Sequence, residues 1–226
     1  MKRVVVEELL DSDAGTPQEV AQSISDLRMF NRVFGGTRTA TSLLRRVAER
    51  QKLKELFWLD VAGSEGFVAI TARDNLARSG ISAHPVVLDR APSHMDGRLP
   101  AVCGDALALP FSDNSFDAVG CSLFVHHLEP EELARFAAEG LRVARHAFFI
   151  HDLIRHPLHL ALSYLGFPLY RSRITRHDAP ASVHRAYTVD EIAKILARVT
   201  ESNRIETRQF FLYRMGVILW KEPSTT

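Results

Sequence analysis

The sequence predicts an α/β protein: a doubly wound, mostly parallel sheet of seven strands with an antiparallel C-terminal edge strand, preceded by helices and carrying a helical insertion after strand five. Three observations predict it. From residue 55 onwards, short apolar runs alternate with amphipathic segments, the pattern of strands joined by right-handed helical crossovers. The first run, residues 56–62, is apolar apart from Asp60, as a strand covered on both faces requires. The last two runs, 206–211 and 215–220, lie only a few residues apart, which suits an antiparallel pair.

The elements follow in order. Thr16-Pro17-Gln18-Glu19 opens the first helix: Thr caps, Pro suits the first helical position and Glu19 completes a capping box. Val20, Ile24, Leu27 and Phe30 recur at helical spacing until Gly35-Gly36 breaks the run, and Leu43, Leu44 and Val47 mark a second amphipathic stretch. After the strand at 56–62 come a helix over 66–79, a strand at 85–89, a short helix near Ser93, and strands at 100–103 and 116–123. Pro130 with Glu131 and Glu132 opens a helix that carries Leu133, Phe136, Ala137, Leu141 and Ala144 on one face. A strand at 147–151 precedes the insertion, residues 153–187. Thr188-Val189-Asp190-Glu191 is a second capping box, opening a helix that runs to about residue 198.

Composition bounds the function. At 226 residues, with 46% hydrophobic and 24% charged side chains, the chain has an ordinary globular make-up, which excludes disordered, collagen-like and disulfide-scaffold classes. Twenty-eight Lys and Arg against 27 Asp and Glu leave a net charge of +1, no global field for gripping a phosphate backbone, so no nucleic-acid partner is expected. Cys103 and Cys121 lack metal or redox spacing and follow no secretory signal, which reads as reduced thiols in a cytoplasmic protein. The most apolar stretch, 158–170, falls short of the ~20 residues that cross a bilayer, so no membrane span is expected.

The first strand runs into Asp60-Val61-Ala62-Gly63-Ser64-Glu65-Gly66, small residues that let backbone N–H groups and a helix N-terminus approach a ligand. The second strand ends on Asp89. Gly104-Asp105-Ala106-Leu107-Ala108-Leu109-Pro110-Phe111 follows, then Asp113-Asn114-Ser115-Phe116-Asp117. These four ordered segments resemble those of class I S-adenosylmethionine-dependent methyltransferases, in particular the small-molecule, type 11 or UbiE-like group, whose sheet is Rossmann-like. Ala62 and Ser64 stand where that family usually has glycine. The resemblance implies S-adenosylmethionine as cofactor, held by Asp60, Ala62, Gly63, Ser64 and Gly66, by Asp89 and Arg90 around the ribose, by Asp105 and Ala106 at the adenine, and by Ser122. Arg32 is a further partner for the cofactor carboxylate, with simple solvent exposure as its alternative. Asp117 reads as ordinary turn chemistry. A nicotinamide dinucleotide is the rival cofactor; Glu65 at the mouth of the helix and the missing second glycine weigh against a pyrophosphate.

Strand four leads into Cys121-Ser122-Leu123-Phe124-Val125-His126-His127-Leu128, and strand five into Asp152. By resemblance to natural-product O-methyltransferases of the class, His126 and Asp152 act together as catalytic base and its carboxylate. The alternative is that His126 packs and Asp152 caps. Adjacent histidines are expected to point apart, leaving His127 a structural role, and no metal is expected because adjacent ligands disfavour one ion. In the insertion, Tyr164, Tyr170, Arg176, His177 and Arg185 are the candidate contacts for an aromatic or phenolic acceptor. The same apolar stretch also suits a lid or the face of a homodimer. The expected layout is one domain: an N-terminal helical cap (1–50), a cofactor-binding core (55–152), a substrate lid (153–187), and the last helix with the closing strands (188–226). The expected function is methyl transfer to a small acceptor, O-directed, with a catalytically silent cofactor-binding protein as the alternative.

Overall fold

The computed structural model describes residues 1–12, 14–92, 95 and 97–221. Its centre is a seven-stranded sheet built from β1 (Glu55–Val61), β2 (Ser82–Asp89), β3 (Ala101–Cys103), β4 (Phe116–Ser122), β5 (Ala144–Leu153), β6 (Ile205–Phe210) and β7 (Arg214–Trp220). The order is β3-β2-β1-β4-β5-β7-β6. The first five strands are parallel, and β7 runs antiparallel to both β5 and β6. Reversal of the strand order between β1 and β4 opens a crevice at the carboxyl ends of the strands, where ligands of such sheets bind.

The sheet alternates its side chains between two cores, as strand geometry requires. Leu56 and Trp58 of β1 and Phe149 of β5 face α2 (Gly36–Gln51) and α3 (Phe67–Ala77), meeting Leu43, Leu44 and Leu76. Leu59, Val61 and Phe148 face the other way, onto Leu133 and Phe136 of α4 (Pro130–Val143) and Ile192 of α7 (Val189–Leu196). Phe136 and Phe148 meet edge-on, with ring centroids 5.0 Å apart.

The capping boxes at Thr16 and Thr188 form as predicted and start α1 (Pro17–Val33) and α7. Strand β2 begins earlier than predicted and contains Pro85. Its missing N–H is tolerated because β3 pairs only with residues Val87 to Asp89. β5 is longer at both ends, since β7 supplies a partner as far as Leu153. The short helix predicted near Ser93 lies outside the described residues. The insertion folds as α5 (Pro157–Leu165) and α6 (Arg173–Arg185), and α6 packs against α1 over the carboxyl edge of the sheet. Among the described residues, no helix is long and apolar enough to cross a membrane.

Candidate active site

A cleft of about 850 Å³ opens at this edge, floored by the ends of β1, β2 and β4 and roofed by α1, α6 and the N-terminal segment. The loop after β1 is tightly wound. Ala62, Ser64 and Gly66 have φ of 56°, 50° and 73°, a conformation that costs a side-chain-bearing residue ~1–2 kcal/mol. Ala62 and Ser64 thus adopt the backbone that glycine would adopt freely. Gly63 leaves little room for a side chain: a Cβ there would lie 3.0 Å from Asp60 Oδ2 and from Val87 Cγ1, so both neighbours would have to give way.

Asp89 ties this loop to β2. Its Oδ2 accepts from Ser64 N–H at 2.9 Å and its Oδ1 from Ala91 N–H at 3.0 Å, which leaves each oxygen a lone pair for a ligand hydroxyl. Asp60 is buried, and burial together with the charge of Asp89 pushes its carboxyl up to about 7. Asp105 Oδ1 accepts from Leu107 N–H, and Arg90, Ala106 and Ser122 all line the cleft. Ser122 Oγ and Asn31 Oδ1 are buried there without a hydrogen-bond partner among the described residues. Glu65, at the mouth of α3, is ion-paired with Arg28. Unpartnered polar atoms beside a loop of small residues wound closely against β2 fit a nucleoside.

The second half of the cleft is built where β4 ends. Leu123 turns the chain with a φ of 57°, and a 3-10 turn follows over Val125–His127. His126 and Asp152 meet as predicted: the ring Nδ1 donates to Oδ1 at 2.7 Å, and the backbone N–H of His126 donates to Oδ2 at 3.1 Å. This fixes the orientation of the ring and leaves Nε2 facing Glu8 Oε1 at 3.4 Å. Burial lowers the His126 pKa, but Asp152 and Glu8 outweigh it and raise it to about 10. Burial raises the Asp152 carboxyl, but His126, the Leu153 N–H and His151 together outweigh it and lower it, so it stays ionised.

Four expected contacts lie elsewhere. Arg32 does not line the cleft; it is on the outer side of α1, its guanidinium over the Phe67 ring at 5.7 Å, while Arg28 and Asn31 face inwards. Tyr164 is exposed on α5 beside Phe167. Arg176 and His177 sit on the outer face of α6, because helical spacing turns Thr175, Asp178, Ser182 and Arg185 towards the cleft. Tyr170 and Arg185 do line it. The Tyr170 hydroxyl donates to Ser163 O at 2.7 Å, and Arg185 holds Val6 O and His127 O, each at 3.2 Å. Sequence reasoning missed Glu8 and Asp11, which enter the cleft on a segment without periodicity, and it missed Asn31. His127 also departs from expectation: its ring centroid lies 4.2 Å from that of His126, so the two side chains share one side of the turn.

Residues 59–147 match the family model described as "Methyltransferase domain". The chain is 32% identical over 149 residues to the ubiquinone/menaquinone biosynthesis C-methyltransferase UbiE of Methylobacterium nodulans, covering 59% of this chain and 57% of that protein. It is 37% identical over 97 residues to a demethylmenaquinone methyltransferase of Corynebacterium urealyticum, covering 38% and 39%. It therefore spans less than two thirds of the length of these curated relatives. A solved structure of the plantazolicin methyltransferase BpumL, with a desmethylPZN analog and SAH, is similar over 96% of this chain and 95% of that one, with a TM-score of 0.70 and 13% identity, a likeness of fold alone. Over residues 59–147 the chain is thus similar to methyltransferases in sequence, and its sheet order is that of the S-adenosylmethionine-dependent methyltransferase fold.

Proposed function

We propose that the chain binds S-adenosylmethionine and directs its methyl group to the oxygen of a small acceptor carrying an acidic hydroxyl on an aromatic ring. The observation that carries this reading is the buried His126–Asp152 pair opening into the same cleft as the 60–66 loop. When bound, the cofactor supplies an electrophilic methyl group on a sulfonium. Asp89 is suited to its ribose hydroxyls, Asp105 and Ala106 to its adenine, and the unpartnered Ser122 hydroxyl to its polar tail. Tyr170, Leu162 and Phe30 offer the acceptor an apolar wall, and Arg185 a charge at its edge. His126 Nε2 takes the hydroxyl proton as the acceptor oxygen gains the methyl group, with Asp152 holding the ring and balancing its charge. At neutral pH His126 carries a proton on Nε2, so as the acceptor takes the place of Glu8 that proton passes to the Glu8 carboxylate, and the freed Nε2 then takes the hydroxyl proton. Residues 1–12 and α6 cover the corner and keep water from competing.

Transfer to a ring carbon beside the hydroxyl is the second reading, favoured by the curated relative named as a C-methyltransferase. Loss of the same hydroxyl proton enriches that carbon in electrons, and once it has taken the methyl group its own ring proton is lost to solvent as aromaticity returns. Incubation with S-adenosylmethionine carrying a ¹³C methyl and a panel of phenols, phenolic acids and hydroquinones tests both, since NMR separates an O-methyl from a C-methyl product. Binding of the cofactor with no transfer to any acceptor supports a silent binding protein instead, and preferential binding of NAD overturns the cofactor assignment. His126→Ala lowers turnover by ~10²–10⁴-fold with cofactor affinity unchanged; an undiminished rate removes it from the mechanism.

A further inference from the structure

We infer that Glu8, His126 and His127 form a binding site for a divalent transition-metal ion, of the kind zinc occupies, in the acceptor half of the cleft. One donor atom from each lies within 4.8 Å of the others. The separations are the telling quantity. His126 Nε2 stands 3.4 Å from Glu8 Oε1 and His127 Nε2 stands 3.9 Å from Glu8 Oε2, long for hydrogen bonds. A four-coordinate ion with bonds of about 2.1 Å sets its donors roughly 3.4 Å apart. The 3-10 turn overcomes the usual divergence of adjacent side chains by bringing the two rings to 4.2 Å.

Each donor is also oriented from behind. His126 Nδ1 is held by Asp152 at 2.7 Å, His127 Nδ1 by Asp11 at 3.0 Å, and Glu8 Oε1 by the Ser182 hydroxyl at 2.9 Å. Carboxylates on Nδ1 turn Nε2 of both rings towards Glu8, which is how ligating histidines are commonly presented, and an ion bound there displaces the proton from Nε2. Three carboxylates thus converge on two imidazoles, and the nearby guanidinium, Arg185, is engaged with Asp11 at 3.6 Å. Two nitrogens and one carboxylate suit zinc and its neighbours better than magnesium or calcium. Three protein donors leave a position open to the cleft, as in catalytic zinc sites. An acceptor hydroxyl there is acidified by the ion and releases its proton to solvent, so the ion does what the proton acceptor at Nε2 would otherwise do. That use rests on the methyltransferase reading; the binding of the ion does not.

The test titrates chelator-stripped protein with Zn²⁺ alone by calorimetry and with Co²⁺ by visible absorption, beside a separate titration with S-adenosylmethionine. We expect about one ion per chain with a tetrahedral Co²⁺ spectrum. His127→Ala and Glu8→Gln should abolish it, and Asp11→Asn should weaken it by ~10–100-fold, with cofactor affinity and melting temperature retained in all three. Absence of saturable binding in a chain that still melts cooperatively overturns the site, as does binding unaltered in His127→Ala and Glu8→Gln. Zinc binding without cofactor binding leaves the site standing and removes the methyltransferase reading.

Discussion

Asp60 carries a proton linkage that the loop's appearance conceals. Its carboxyl is pushed up to about 7 by burial and by Asp89, against a usual value near 4. The folded chain therefore binds a proton here that the unfolded chain has already lost, so this contribution to stability is present below about pH 4 and is lost as pH rises through 7. A bound cationic cofactor favours the ionised form. Cofactor affinity should accordingly rise with pH up to about 7, by as much as ~10-fold per unit, and protons should be released on binding. Calorimetry at pH 6 and pH 8 in buffers of different ionisation heat measures both, and Asp60→Asn should flatten the profile. The neighbouring residues carry a different cost. Ala62 and Ser64 hold left-handed conformations, so Ala62→Gly or Ser64→Gly should each stabilise the chain by ~0.5–1 kcal/mol, the steric relief less the greater entropy of glycine. A melting temperature unchanged or lowered would show the loop to be unstrained. Smallness at positions 62, 63, 64 and 66 was legible in the sequence; how closely Gly63 is crowded was not. That depends on Val87 of the neighbouring strand, which crowds Gly63 across the sheet.

Among the elements, those that cap themselves were readable and those that borrow their hydrogen bonds were not. Thr16 and Thr188 satisfy their helix N-termini with residues three positions on, and both helices start where the capping boxes predict. The residues before the short 3-10 turn Leu10–Ser12 have no such local solution. They lie along α6 and the turn at Val125–His127, with Val4 N–H donating to His184 O, Arg3 reaching Arg185 O and Leu128 O, and Leu9 and Leu10 N–H both donating to Asp178. Every partner is remote in sequence, so no periodicity announces the segment, although it delivers Glu8 to the site. Asp178 is its anchor. Asp178→Ala strands two backbone donors, at ~1–3 kcal/mol, and should loosen this segment without unfolding the sheet. Faster hydrogen exchange at Leu9 and Leu10, with exchange in β1 and β4 unchanged, is the expected pattern; equal protection in the variant would place the anchor elsewhere.

At the scale of the whole molecule, the sheet supplies the floor of the cleft and everything foreign to the minimal fold supplies its roof. The floor was legible because strand ends are marked by Asp60, Asp89 and Asp152. The roof was legible only as apolar and basic composition, and the side that faces inwards depends on how α1 and α6 meet. That junction is polar. Asp26 Oδ2, buried on α1, accepts from the backbone N–H of Arg171 and Ser172 at 2.9 and 3.2 Å, where α6 begins and the helix dipole favours a negative charge. Ser172 Oγ donates to Glu19 O at 2.9 Å, and Thr175 meets Ser23 at 3.2 Å. Directional bonds of this kind set the height of the roof above the floor more narrowly than apolar contact would. Asp26→Ala leaves one buried and one part-buried donor unpaired and should cost ~1–3 kcal/mol, a fall in melting temperature of several degrees for a chain of this size. Because the cofactor loop hangs from the strands and the acceptor wall from the roof, the damage should divide unequally: KM for the acceptor should rise several-fold while cofactor affinity holds. Asp26→Asn, which keeps an acceptor oxygen, should recover most of the loss. Equal weakening of both ligands would mean that floor and roof move as one body and that the acceptor site is not set by this junction.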